Sequence, residues 1–353
     1  MFLNTGYNAR AFPAEVTPCS FSENGPSRIT SAEWLRTAFH DMAPGSVFTG
    51  VGGLDASLQY ELGGNGGENI GSAFNTSLTT YSRFFSSRSS MADLIAMGVY
   101  ASVRSCGGPI VPIRTGRIDA TAAGPIGVPQ PQNSQYTFIQ QFQRMGFTVA
   151  EMIGLTACGH TIGGVHAGNF PEVVKAGTVP NDYQLFDSTT KFDEKIASEY
   201  VAGNSTDALA GPLAVQNTYD SDLNVFTADN TTIVAMANPA TFQSTCQTLL
   251  QKMIEVVPQG VVLTDPIAPY EVKPGNLQLT IQPGATQLQF AGEIRVRTTT
   301  NGTPTGVQLV YVDRNGASSC GSCVITTTAV GTGAGFDETF AVSSENVTTM
   351  KNL

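Results

Sequence analysis

The chain holds only three histidines and one tryptophan in 353 residues, and its 18 lysines and arginines face 28 acidic residues. So few histidines shorten the search. Any imidazole chemistry must run through His40, His160 or His166. A formal charge of −10 argues against nucleic acid as a partner, because phosphate binding draws its affinity from Lys and Arg. It argues equally against an anionic membrane surface. No run of about 18 apolar residues is present to form a membrane-crossing helix. The opening residues, Met1 to Phe12, lack the apolar stretch and small-residue cleavage site of a secretory leader. Charged residues make up 13% and hydrophobic residues 41%, which is too apolar for a disordered chain.

Cysteines are present in an even number: Cys19, Cys106, Cys158, Cys246, Cys320 and Cys323. N-x-S/T sequons occur at Asn75, Asn204, Asn230, Asn301 and Asn346. Together these predict a mature secreted glycoprotein whose leader has been removed.

The chain reads as two regions. Residues 1–265 carry helix-period segments. Capping boxes at Thr30–Glu33 and Thr148–Glu151 open two of them, another begins near Ser90, one covers Tyr136 to Arg144, and a last lies between Pro239 and Pro258. A proline-rich linker at 266–275 follows. Within residues 276–353, four segments alternate or run β-branched in the manner of strands (277–282, 287–298, 306–314 and 323–330), with turns at Pro283-Gly284, Asn301-Gly302 and Asn315-Gly316. The expected architecture is a mainly α domain followed by a small antiparallel β domain of sandwich type.

Four segments carry chemistry. Arg36 and His40 are one helical turn apart in Arg36-Thr37-Ala38-Phe39-His40-Asp41, so both side chains share a face. An imidazole beside a guanidinium can move a proton while the cation stabilises developing negative charge; a solvated surface pair is the plainer reading. Gly52-Gly53-Leu54-Asp55-Ala56-Ser57 and Asp187-Ser188-Thr189-Thr190-Lys191-Phe192-Asp193 offer closely spaced oxygen ligands of the kind Ca²⁺ takes, or ordinary polar turns. In Leu155-Thr156-Ala157-Cys158-Gly159-His160-Thr161 a histidine ends an amphipathic helix. It is either a metal ligand or a satisfied core residue.

In chain order these segments, with Cys106-Gly107-Gly108-Pro109, Gly116-Arg117 and Ser221-Asp222, resemble the haem peroxidase superfamily of plants, fungi and bacteria. The resemblance spans residues 19–255 and does not reach the β region. It implies a haem b whose iron is held by His160, with Asp222 accepting the other ring proton (Asp220 as the alternative). It implies His40 as the acid–base group for hydrogen peroxide, Arg36 as its electrostatic partner and Asn69 as the residue orienting His40. Glu61 is a candidate member of that network. Two Ca²⁺ sites are implied. One uses Asp41, Gly53, Asp55 and Ser57, and the other uses Thr161, Asp187, Thr189, Lys191 and Asp193.

Phe39 and Phe186 stand where other branches carry Trp, so the chain looks like the secreted fungal, class II-like branch. Positions matching a manganese site read Ile29, Glu33 and His166, with a single acidic residue. The position of a surface catalytic Trp reads Leu155, and Trp34 reads as core. The resemblance therefore implies a monomeric enzyme oxidising small phenolic and aromatic donors by one-electron steps at the haem edge. Cys19 and Cys106 match a disulfide of that branch. Cys158–Cys246 and Cys320–Cys323 are further expected bridges, the second in competition with a redox CxxC. The β domain is open between a cell-wall polysaccharide partner and simple cover. A Ca²⁺-stabilised wall-binding protein with a vestigial peroxidase module is the alternative function, and a mononuclear metallohydrolase is a third.

Overall fold

The computed structural model describes residues 12–22, 25–63, 67–281, 283–284, 288–299, 302–312, 323–334 and 339–350, with backbone alone at 288, 333–334 and 339–350. Two compact units emerge: Phe12–Ile267, and the chain from Ala268 onward.

The first unit is helical. Helix α1 spans Thr30–Met42. Its Trp34, Leu35, Ala38 and Met42 point inward at the spacing of an amphipathic stripe. The Trp34 ring lies 4.9 Å from Phe12 and 4.7 Å from Tyr81, so the single tryptophan is core, fully buried. Helix α2 is Ala73–Ser82 and α3 is Met91–Ser105. Ser90 caps α3 by accepting the Asp93 N–H at 3.1 Å. Helices α4 (Gln135–Arg144) and α5 (Val149–His160) follow. The capping box expected for α5 is present in both directions, between Thr148 and Glu151. A short antiparallel pair, β1 (Gly164–His166) and β2 (Tyr183–Leu185), precedes α6 (Lys195–Ala202). Then come α7 (Pro212–Asn217), α8 (Ser221–Phe226), α9 (Thr232–Met236) and α10 (Pro239–Ile254). Helix α1 packs on α3, and α5 packs on α4, α8, α9 and α10. Disulfides Cys19–Cys106 and Cys158–Cys246 are both formed, the second tying α5 to α10.

The expected capping box of α1 is corrected by the structure. Ile29 occupies the N-cap position and no side chain caps the helix. The Glu33 carboxylate instead meets the Arg28 guanidinium and the Thr76 hydroxyl. A charge-assisted bond outcompetes a neutral backbone N–H.

The second unit is antiparallel β. Strands β3 (Val272–Ile281), β4 (Leu288–Arg297), β7 (Thr328–Ala334) and β8 (Thr339–Met350) form one sheet in the order β3-β4-β8-β7, while β5 (Gln308–Val310) pairs with β6 (Val324–Thr326). Strand β3 begins inside the stretch expected as linker, and Pro274 lies within it. Proline is tolerated there because β3 is an edge strand. Strand β8 is central, yet the sequence reading missed it. Its Ser343-Ser344-Glu345-Asn346 run breaks the alternation that marks a half-buried strand. Cys320, and with it the expected CGSC bridge, lies outside the described residues, as does the Asn315-Gly316 turn.

Candidate active site on two helix-borne histidines

Helix α1 sets Arg36 and His40 on one face, next to α2. His40 is buried, and its Nδ1 lies 2.9 Å from Asn69 Oδ1. The Asn69 amide is oriented in turn, because its Nδ2 donates to Glu61 Oε2 at 3.1 Å and a carboxylate can only accept. Glu61 Oε1 is held by the Gly124 N–H at 2.9 Å. The network therefore assigns the proton of His40 to Nδ1 and the lone pair to Nε2. Burial first, and the Arg36 charge second, push the His40 imidazolium down to about 3. His40 is thus a neutral base at ordinary pH.

Arg36 donates from Nη2 to the Ile70 carbonyl at 3.1 Å. Burial lowers its guanidinium to about 10, so it stays a cation. The Phe74 ring supports both residues, 4.4 Å beneath the guanidinium and 4.6 Å from the imidazole centroid. The sequence reading missed Phe74. It sits on an unremarkable turn of α2, and only its spacing after Asn69 hinted at proximity.

The second histidine ends α5. His160 Nδ1 lies 2.6 Å from Asp222 Oδ2, and its ring stacks on Phe186 at 4.4 Å with an 8° tilt. Asp222 is buried in the first turn of α8, and Ser221 donates to its Oδ1 at 3.0 Å. The rival residue Asp220 instead accepts from Asn224 Nδ2 at 3.2 Å. With Nδ1 engaged, Nε2 is the nitrogen of His160 left for a metal.

The first oxygen-rich loop folds around Asp41. Its carboxylate accepts the N–H groups of Asp55, Ala56 and Leu58 at 3.0, 2.8 and 3.0 Å. Ala56 adopts φ 61°, which turns successive N–H groups toward one anion. Asp55 Oδ1 accepts the Ser57 N–H at 3.0 Å. Gly53 has φ +117°, and a Cβ there would sit 2.7 Å from the Val256 carbonyl, so this glycine serves close packing. Burial, then Asp55, raises the Asp41 carboxyl to about 8.

In the second loop, Thr161 Oγ1 bridges the backbone of Asp193, donating to its carbonyl at 2.5 Å and accepting its N–H at 3.2 Å. Thr189 Oγ1 lies 3.1 Å from Asp187 Oδ1 and 3.3 Å from Asp193 Oδ2. The exposed Lys191 donates its N–H to Thr189 Oγ1 at 3.3 Å. Asp187 Oδ2 is buried without a hydrogen-bond partner, and burial raises its carboxyl to about 7. Among the described residues, no three His, Cys, Asp or Glu side chains gather in a metal-holding group.

The remaining candidate positions are engaged elsewhere. Ile29 is buried, Glu33 faces Arg28, and His166 Nε2 lies 2.8 Å from the Ser27 carbonyl beside the Tyr183 ring. Leu155 is buried. Phe39 lies 6.1 Å from Phe142, centroid to centroid. The sequons at Asn75, Asn204 and Asn230 are exposed, whereas Asn301 and the side chain of Asn346 lie outside the description.

Comparison with known proteins follows the same outline. Residues 20–250 match the family model described as peroxidase. The chain is 65% identical over 344 residues to a WSC domain-containing protein of Arthroderma benhamiae, covering 97% of this chain and 48% of that protein. It is 28% identical over 272 residues to peroxidase 22.3 of Oryza sativa subsp. japonica, covering 67% of this chain and 78% of that one. It is 29% identical over 140 residues to the peroxisomal L-ascorbate peroxidase 5 of Arabidopsis thaliana, covering 40% and 50%. The chain thus spans about half the length of the first of these relatives.

Proposed function

We propose that this chain, which belongs to the peroxidase family, reduces hydrogen peroxide with a haem b ligated by His160 and oxidises small aromatic donors in one-electron steps. The observation that carries the proposal is the pair of histidines with opposite Nδ1 partners, an amide oxygen for His40 and a carboxylate for His160.

The residues fit that group. His160 Nε2 is unclaimed by Asp222, and the flat Phe186 contact fixes the imidazole plane. Haem, when bound, supplies the electron transfer. Everything else falls to the protein. His40 Nε2 takes a proton from hydrogen peroxide and returns it to the departing oxygen. The Arg36 cation stabilises the negative charge that builds as the oxygen–oxygen bond breaks. Asn69 and Glu61 hold the His40 tautomer that makes this possible. Asp222 accepts the His160 ring proton and strengthens the imidazole as a ligand.

Donor choice follows from what is engaged elsewhere. The pairing of Glu33 with Arg28 weakens it as a manganese ligand, Leu155 has no aromatic ring to relay an electron, and Trp34 is fully buried. Small phenols at the haem edge are the donors proposed. Phe39, Phe186 and the two disulfides favour the secreted fungal, class II-like branch, and the exposed sequons suit a secreted glycoprotein. The raised carboxyls of Asp41 and Asp187 and the partnerless Asp187 oxygen favour two Ca²⁺ ions in those loops. For the β unit we propose sandwich packing and a wall-polysaccharide surface. Leu277, Leu279 and Ile281 alternate on one face of the edge strand β3 and are all exposed.

The test is haem reconstitution followed by stopped-flow turnover with a phenol, Mn²⁺ and a bulky non-phenolic alcohol side by side. A Soret band and turnover of the phenol alone are expected. Failure to bind haem overturns the enzyme reading, and fast Mn²⁺ turnover overturns the donor assignment.

A further inference from the structure

Of the buried acids that the proposed chemistry does not use, Glu15, Glu33 and Asp93 face arginines, which leaves Asp207 to explain. Asp207 precedes the tight turn Ala208–Ala210, which packs on α8. It is 2% exposed. Its Oδ1 accepts the Leu209 N–H at 2.9 Å, while Oδ2 is buried with no donor facing it. Its side chain lies within hydrogen-bonding reach of Asp222. Both oxygens of Asp222 are already engaged, Oδ2 with His160 and Oδ1 with the Ser221 hydroxyl.

Two ionised carboxylates cannot share such a contact. Each would only accept, and their charges would repel at close range in a dry site. One shared proton turns the clash into a short hydrogen bond. Asp222 has two side-chain donors to hold its charge, whereas Asp207 has a single backbone N–H and an orphan oxygen, so the proton belongs on Asp207. Burial and the Asp222 charge push the Asp207 carboxyl well above the usual carboxylate range, and Asp187 adds to the effect. The other titratable neighbour is the Tyr200 hydroxyl, itself raised by burial and by both aspartates.

We infer that Asp207 is a positioning residue for the second histidine, donating a hydrogen bond to Asp222 and thereby limiting how strongly Asp222 draws the Nδ1 proton from His160. The inference rests on the peroxidase reading for its consequence, not for the proton itself. A carboxylate that accepts a third donor is a weaker base. Removing that donor makes the His160 imidazole more anionic, and a more anionic ligand favours the oxidised metal.

Two measurements test this. In the haem-free protein at neutral pH, infrared spectra are expected to show a protonated-carboxyl stretch that Asp207→Asn removes. No difference between the native and Asp207→Asn spectra in this region, or disappearance of that difference when Ca²⁺ is added to both proteins, overturns the assignment, the latter by making Asp207 a cation ligand. In the haem-loaded protein, Asp207→Leu is expected to lower the ferric/ferrous potential by about 59 mV, tenfold in a one-electron equilibrium constant, and to raise the iron–histidine stretching frequency. Asp207→Asn keeps a donor toward Asp222 and is expected to restore both values. If neither variant moves potential or frequency while the Soret band and peroxide turnover persist, the inference fails and the peroxidase reading stands. If haem does not bind, the peroxidase reading fails and the infrared band still decides the proton.

Discussion

The surroundings of His40 and His160 differ in one atom class. Each imidazole ends or nearly ends a helix, and each presents Nδ1 to a side-chain oxygen. For His40 that oxygen belongs to an amide, and a half-buried cation stands one turn away. For His160 it belongs to a buried carboxylate, with a flat aromatic contact beside it. The amide orients a ring without adding charge, which leaves a weak, neutral base able to take and return a proton. The carboxylate adds charge, which makes a strong and stationary donor to a metal. In the proposed reaction one residue type thus serves two tasks through the partner of its other ring nitrogen.

Substitutions can break the contrast. His40→Ala is expected to slow reaction with hydrogen peroxide by about 10²–10⁴-fold while keeping the haem spectrum, as read by stopped-flow absorbance. Unchanged peroxide kinetics would remove His40 from the proposed role. Asp222→Asn gives His160 the partner type of His40, and a loss of about 10–100-fold in haem affinity or turnover is expected, measured by haem titration and steady-state assay. The converse change, Asn69→Asp, sets a carboxylate beside His40. The neutral imidazole is the active form, so the rate falls as pH drops through its pKa. The acid limb, near pH 3 for the native residue, is expected to move up by about 1–3 pH units in a pH–rate profile.

The smallest expected effect concerns Asp41. Without a cation its folded pKa is about 8, against an ordinary value of 3.8. Between those values the folded chain binds more protons than the unfolded one, so stability falls as pH rises across that window. Bound Ca²⁺ would favour the ionised form and flatten or reverse the slope. Thermal melts from pH 4 to 8, with chelator and with Ca²⁺, should differ in slope. Identical slopes would count against a cation in that loop.

Much of this contrast was legible before any coordinates. Arg36 and His40 share a helix face by their spacing, the roles expected of Asn69 and His160 followed from the resemblance, and a capping box fixed the start of α5 at Thr148. The two disulfides within the helical unit followed from the resemblance and from the helices that bear the cysteines. What escaped was set by long-range packing. Phe74 meets His40 because α2 lies on α1. Asp207 meets Asp222 across fifteen positions that carry no motif. The capping box at Thr30 failed because Arg28 offered Glu33 a charged partner that spacing alone does not reveal. Strand β8 hid behind its polar centre.

The residues beyond α10 have a role that their plain sequence conceals. The Val256 carbonyl accepts the Leu54 N–H at 2.7 Å and the Gln259 N–H reaches the Gly50 carbonyl at 2.8 Å. Farther on, Thr264 and Ile267 donate their N–H groups to the carbonyls of Thr115 and Ile113. This tail is a clasp, fastening the loop after α1 and the strand-like run after α3 from outside. The recognisable family segment ends at residue 250, yet the compact unit continues to Ile267. The family match and the compact unit therefore draw different borders on this chain. A fragment trimmed to the family's edge would keep the two histidines, but it would lose the backbone bonds that close the loop behind His40.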